Sequence, residues 1–373
     1  MRLSNKAYES SMTKFSLRQI NNENFVMVRS IWPKHNKYFQ MKTIPIKTMV
    51  ITGLVAAFII QCAKSSAGNT PVTGGDPNGI DTQKTVRQIV FADQSVNRVA
   101  IADIDTKQVV WEWQPAQSNV AAGDVMWFVN MSDAKPVYNN KYILANASAG
   151  GVALIRIADK KTVFYAFGGN GNIHSAEVLP DGNIVIAAST GNYLMLLKTD
   201  TTANPYNGYT KKITVPDAHN VVWDKKRQFL WTASKNKLYA FTYNFNCTAP
   251  DLTLKDSITL PASGSHDLFP LYDKDSLWLS TSSKVWTINL NTRAVTEQSA
   301  LPRVKSVSSG PGDNYPAILL QSIDTDKQWY NDKVIDLKGN TVFQLPGLKA
   351  YKGRWMLNAG FSYDTNSTVR ICK

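Results

Sequence analysis

The sequence predicts an all-β protein closed into a β-propeller of six blades, with seven blades as the alternative. Three observations predict it. Val, Ile, Thr, Tyr, Phe and Trp recur in short runs separated by turn residues, while helical periodicity is scarce. A segment of about 45 residues repeats along the chain, the length of a four-stranded blade. Three histidines, His174, His219 and His266, occupy one position of that repeat, 45 and 47 residues apart.

The segment ahead of the repeats reads as a targeting sequence. Met41 to Cys62 is MKTIPIKTMVITGLVAAFIIQC, with Lys42 and Lys47 ahead of an apolar run from Met49 to Ile60. That run is too short to span a bilayer comfortably, and a cysteine follows at once, as in a bacterial lipoprotein signal. Residues 41–61 are therefore expected to be a signal peptide and Cys62 the lipidated first residue. Gln61 departs from the usual small residue before such a cysteine. The alternative is cleavage after Ala67, in the run Ser65-Ser66-Ala67. Residues 1–40 precede Met41, a good start residue, and are expected to be a non-native extension. Residues 62–85, rich in Gly, Ser, Thr, Pro and Asn, are expected to form a flexible tether. The tether starts without an acidic run, which favours the periplasmic face of an outer membrane over the cell surface.

Residues 86–373 are expected to form the propeller. The best copies are NIHSAEVLPDGNIVIAAS from Asn172, DAHNVVWDKKRQFLWTAS from Asp217 and GSHDLFPLYDKDSLWLST from Gly264. Each has a histidine, a strand, an Asp-containing turn and a second strand. The turns Pro180-Asp181-Gly182, Asp224-Lys225-Lys226 and Asp273-Lys274-Asp275 suit tight hairpins. Third strands follow at Lys237–Tyr243 and 284–290. Extending the register places Lys305 and Lys349 at the histidine position downstream and Asp124 upstream. The first segment, from Arg87 to Trp113, supplies three strands and lacks an innermost one. A C-terminal strand around residues 354–361 is expected to complete that blade, removing the exposed sheet edge.

Charge narrows the partners. Of the net +13, residues 1–61 hold +7, from nine Lys/Arg against two acids, and +6 remains for the rest. No clustered basic patch follows residue 61, so nucleic acid is not an expected partner. A mild basic excess suits an anionic ligand such as an acidic glycan, and a monomer is expected. Three cysteines occur, Cys62, Cys247 and Cys372. In an oxidising compartment Cys247 and Cys372 either pair or remain separate thiols.

Equivalent positions of successive blades converge on the central channel. The candidate ligand-binding set is thus Asp124, His174, His219, His266, Lys305 and Lys349. Three readings stay open. The imidazoles could hold one divalent metal, such as Mn or Zn. They could bind an acidic sugar or other small anion with the two lysines. They could instead fix blade packing. Ser175 beside His174 makes no triad if adjacent strand residues face opposite ways. Gly168-Gly169-Asn170-Gly171 lacks the Lys-Ser/Thr of a P-loop and reads as a blade connection. Trp127, Trp223, Trp231, Trp278, Trp286, Trp329 and Trp355 read mainly as inter-blade core.

The stretch AGGVALIRIADKKTVFYAFGGNGNIHSAEVLPDGNIVIAASTGNYL, with DAHNVVWD, GSHDLFPLYD and VKSVSS, resembles a family of Bacteroidetes lipoproteins of unknown function. That resemblance implies a propeller and no particular activity. A more distant likeness is to oligogalacturonate lyases, whose seven-bladed propeller holds a divalent metal with three histidines and a glutamine. It implies metal at His174, His219 and His266 and no placed fourth ligand. The expected function is an envelope propeller that binds an acidic carbohydrate at its channel, with lyase chemistry if it is an enzyme. The alternative is a non-catalytic scaffold or interaction module.

Overall fold

The computed structural model describes residues 86–371 except 200–203, 207, 325–326 and 366–367. The expected extension 1–40, signal 41–61, tether 62–85 and lipidated Cys62 lie outside the described residues, as does Cys372. Cys247 itself is disulfide-bonded.

Among the described residues, twenty-four strands form six four-stranded antiparallel sheets. Blade 1 joins the first three strands, Gln88–Asp93, Arg98–Asp103 and Gln108–Trp113, to the last, Ala350–Trp355. Blades 2 to 6 follow as residues 131–167, 173–214, 222–259, 267–299 and 304–344. The ring therefore closes by the predicted N- and C-terminal pairing. The closing strand begins four residues earlier than expected, and the chain past Trp355 is not strand.

Local chemistry accounts for the blades. The second strand of blade 3, Ile184–Ala188, is buried throughout because blades cover both its faces. Its neighbour Tyr193–Leu197 is buried for the same reason except at its first residue. Blade 1 turns at Asp103, whose carboxylate accepts the backbone N–H groups of Asp105 and Thr106. Blade 4 turns likewise at Asp224, which accepts from Lys226 and Arg227. The three predicted hairpin turns all connect an innermost strand to the next one out. Gly168–Gly171 joins blades 2 and 3, between the strands Thr162–Phe167 and Ile173–Val178. Trp223, Trp231, Trp278 and Trp355 are buried, as wedge-filling residues should be, whereas Trp329 is exposed.

The innermost strands are Met131–Val137, Ile173–Val178, Val222–Asp224, Asp267–Pro270, Val304–Ser308 and Ala350–Trp355. Their side chains fill the axis with ions. Arg354 donates two bonds of 2.7 Å to Asp267, reaches Asp133 at 3.3 Å and donates to the Val307 carbonyl at 3.0 Å. Its guanidinium also lies 4.1 Å from the centre of the Phe269 ring. Lys352 contacts Asp267 at 3.2 Å and Asp133 at 3.4 Å, and donates to the His174 carbonyl at 3.0 Å. Lys135 contacts Glu177 at 3.1 Å and donates to the Val221 carbonyl at 2.8 Å. Three cations thus meet three carboxylates, and the partners come from all six blades. The cations hold the Asp133 and Asp267 carboxyls below their ordinary range although burial pushes the other way.

The chain after Trp355 crosses the end of the axis where the hairpin turns lie, here called the turn face. The Met356 N–H donates to the Gln88 carbonyl, the Lys225 N–H to the Phe361 carbonyl, and the Arg370 guanidinium to the Pro180 carbonyl. Gly182 has φ +92°, and a Cβ there would collide with the Arg370 carbonyl, so the turn needs glycine to receive this segment.

Removing one partner of the axial network should be costly. Arg354→Met leaves Asp267 and Asp133 short of their strongest donor. It should lower folding stability by about 3–5 kcal/mol, the usual penalty for an orphaned buried charge. A guanidinium denaturation curve checks this; an unchanged midpoint would mean that water or Lys352 replaces the guanidinium at little cost.

Candidate functional site

At the opposite end, here called the histidine face, five innermost strands or their lead-in residues carry a one-residue register shift. In blade 2, Met131 pairs with Ala147 but Asp133 with Asn146, leaving Ser132 extra. In blade 3 the extra residue is His174, between Ile173 and Ser175. Blade 6 leaves Lys305 extra and blade 1 leaves Tyr351. In blade 4, Ala218 bridges to Ser234 while Val222 pairs with Trp231, which places His219 in the shifted stretch. His266 directly precedes Asp267, the first paired residue of blade 5. Such a bulge puts two successive side chains on one face.

The six residues at this position form a layer above the ionic plug. The His174 and His219 rings stack with centroids 4.8 Å apart at 13°. His219 and His266 meet edge to face at 5.1 Å. Lys305 Nζ lies 3.2 Å from His266 Nε2 and 5.9 Å from the centre of the Tyr351 ring. Tyr351 reaches over the small Ser132 and stacks on His174 at 5.4 Å. The predicted convergence of His174, His219, His266 and Lys305 is thus present.

Two predicted members are elsewhere. Asp124 sits in a short 3-10 helix, Ala122–Phe128, and accepts from the Tyr165 hydroxyl at 3.1 Å, against the outermost strand of blade 2. The blade 2 position lies eight residues beyond the one that the repeat register predicts, because that helix separates the blade connection from the strand. Ser132 holds the position instead. Lys349 is exposed and lies over the Tyr330 ring at 5.3 Å. Tyr351, two residues on, takes its place in the layer. The bulge could not be read from strand alternation, and it overturns a second expectation. His174 and Ser175 both face the channel, since the Ser175 hydroxyl donates to Asp133 in the plug at 3.2 Å. They still form no triad, because that hydroxyl is committed to Asp133.

Among the described residues no carboxylate faces Lys305, unlike every cation in the plug. Burial pushes the Lys305 ammonium down to about 8, and Lys352 and Arg303 add repulsion. Burial likewise pushes His174 and His266 well below the ordinary imidazole range, with the neighbouring imidazoles and lysines acting the same way. Both rings are therefore neutral at pH 7, and the buried Nδ1 atom of each lacks a hydrogen-bond partner. His219 Nδ1 is 3.0 Å from the Asp217 carbonyl and 3.1 Å from its carboxylate.

These residues do not fit a metal as they stand. Stacked imidazoles hold their nitrogens in parallel planes, so His174 and His219 cannot both aim at one ion, and an ammonium group occupies His266 Nε2. Among the described residues no cluster of three or more His, Cys, Asp or Glu has metal-holding geometry.

Two cavities open at the other end of the axis. One, of about 190 Å³, lies beside Tyr138, Pro180 and Tyr363. The other, of about 460 Å³, lies beside Phe269, Ser308 and Phe361. Sequence reasoning had no signal for either, because both are built by the C-terminal segment against distant blade ends.

A search of curated proteins found no significant match. Among solved structures, the chain is similar to a protein of unknown function from Bacteroides caccae. The identity is 17%, the coverage 73% of this chain and 99% of that chain, and the TM-score 0.47. It is also similar to the Cps50 (Swd1) β-propeller domain of Myceliophteria thermophila, at 13% identity, 71% and 87% coverage and a TM-score of 0.45. A third similarity is to a catalytically inactive virginiamycin B lyase from Staphylococcus aureus with quinupristin, at 15% identity, 73% and 87% coverage and a TM-score of 0.44. Likenesses this distant carry no functional argument. Residues 46–372 match the family of unknown function DUF6528, and the chain belongs to that family.

Proposed function

We propose that this protein is an envelope propeller that binds an acidic carbohydrate at its histidine face. One observation carries the reading. Lys305 is a half-buried cation with no carboxylate partner among the described residues, set near His174 and His266, whose buried Nδ1 atoms are unsatisfied. The plug beneath is balanced charge for charge, so the layer above it is where an anion would gain most. A carboxylate would take a charge-assisted bond from Lys305 and hydrogen bonds from imidazole N–H groups.

Lyase chemistry is the finer form of this reading. With the Lys305 ammonium holding the uronate carboxylate, the neutral His266 imidazole beside it would take the proton from the carbon next to that carboxylate. The electron pair left on that carbon forms the new double bond, and the leaving oxygen departs with its bonding pair. A second reading, a scaffold, is favoured by the filled axis: the histidines pack on one another and close a channel that nothing can traverse.

The two readings separate on titration with oligogalacturonate by calorimetry. Anion binding should be saturable, and Lys305→Met should weaken it about tenfold or more, the loss of one charged hydrogen bond. Affinity should fall above about pH 8, as Lys305 loses its proton. Equal binding of a neutral glucan, or no effect of Lys305→Met, would leave the scaffold reading.

Anchoring to the periplasmic face of the outer membrane through Cys62 belongs to the same proposal and rests on the sequence of residues 41–62. In bacteria fed labelled palmitate, the protein should carry label and Cys62→Ala should not. Unlabelled wild-type protein would point to cleavage after Ala67.

A further inference from the structure

The larger cavity lies at the turn face, with the ionic plug between it and the histidines. Its volume, about 460 Å³, is that of small-molecule sites. Phe269, Leu271, Leu357 and Phe361 line it and are all only half-buried, so they present an apolar wall to solvent.

Two hydroxyls on that wall are unbalanced. Ser308 Oγ accepts the Trp355 backbone N–H at 3.1 Å. Ser309 Oγ accepts the Trp278 indole N–H at 3.0 Å and the Tyr272 backbone N–H at 3.4 Å. Neither hydroxyl donates to any partner among the described residues. Ser306, two residues earlier on the same strand, both accepts from Gly353 and donates to it. A hydroxyl has one proton to give. Ser308 is 1% exposed, so leaving its proton unused is costly unless an acceptor comes to it.

We propose that this cavity is a second ligand site, independent of the histidine face, that takes a small planar aromatic carboxylate. The ring lies against Phe269, Leu357 and Phe361. The carboxylate offers two acceptor oxygens to the two hydroxyl protons. Lys274 stands at the rim without a carboxylate partner among the described residues, whereas Lys225 is paired with Asp364 and Lys226 with Asp275. Asp273 on the same turn offsets part of the Lys274 charge. Recognition therefore rests on the hydroxyls and the apolar wall, and a ligand lacking either feature binds poorly.

The test uses 2-naphthoate as probe, with calorimetric titration of the purified protein. The expected result is saturable one-to-one binding, and 2-naphthalenemethanol, which lacks the carboxylate, should bind at least about tenfold more weakly. Ser309→Ala should weaken naphthoate about tenfold. Leu357→Trp, which fills the cavity from a half-buried position, should abolish binding while the melting temperature holds. Lys305→Met should leave it unchanged, which separates this site from the one at the histidine face. No saturable binding at millimolar probe overturns the proposal. So does undiminished binding to Leu357→Trp, equal affinity for the alcohol, or loss of naphthoate binding in Lys305→Met.

Discussion

The axis of this propeller is held by two buried carboxylates, Asp133 and Asp267, shared between Lys352 and Arg354. Those cations stand on the last strand of the chain, Ala350–Trp355. Blade 1 is incomplete without that strand, so the residues that close the ring also neutralise its centre. An apolar axis would pack as well. Desolvating three ion pairs costs much of what their attraction returns. What the ionic axis adds is geometry: each carboxylate accepts from defined donors, which fixes the rotation of one blade against the next.

That constraint shapes both ends of the molecule. At the histidine face the plug is a floor. The bulges lift His174, His219, His266, Lys305 and Tyr351 into one layer, where burial keeps His174 and His266 neutral and lowers the affinity of Lys305 for its proton. At the turn face the plug ends at Arg354 against Phe269, and the C-terminal segment folds over the mouth. Its docking leaves two cavities rather than an open channel. Ligands on the two faces would not meet, because the axis between them is solid.

The polarity of the two ends also differs in kind. The histidine layer is rich in nitrogen donors, and no carboxylate among the described residues faces its cation. The turn face offers apolar wall and hydroxyl protons, with most of its charged rim groups already paired. One fold thus presents two surfaces suited to different chemistry.

The sequence by itself determined the repeat, and through it the all-β class, the blade length, the closing partnership of the two chain ends and the gathering of three histidines and Lys305. These follow from local signals: β-branched runs, Asp and Gly turns, and a histidine recurring at blade spacing. Only the tertiary structure decided the rest. A bulge is a one-residue shift between paired strands and leaves no trace in either strand alone. Ser132 and Tyr351 were therefore hidden behind Asp124 and Lys349, and Ser175 was assigned to the wrong face. The ionic plug joins residues up to 221 positions apart, such as Asp133 and Arg354. Each looks like an ordinary polar residue in its own strand. Whether such charges are paired or bare depends on which blades face one another across the axis, and that is settled only when the ring closes.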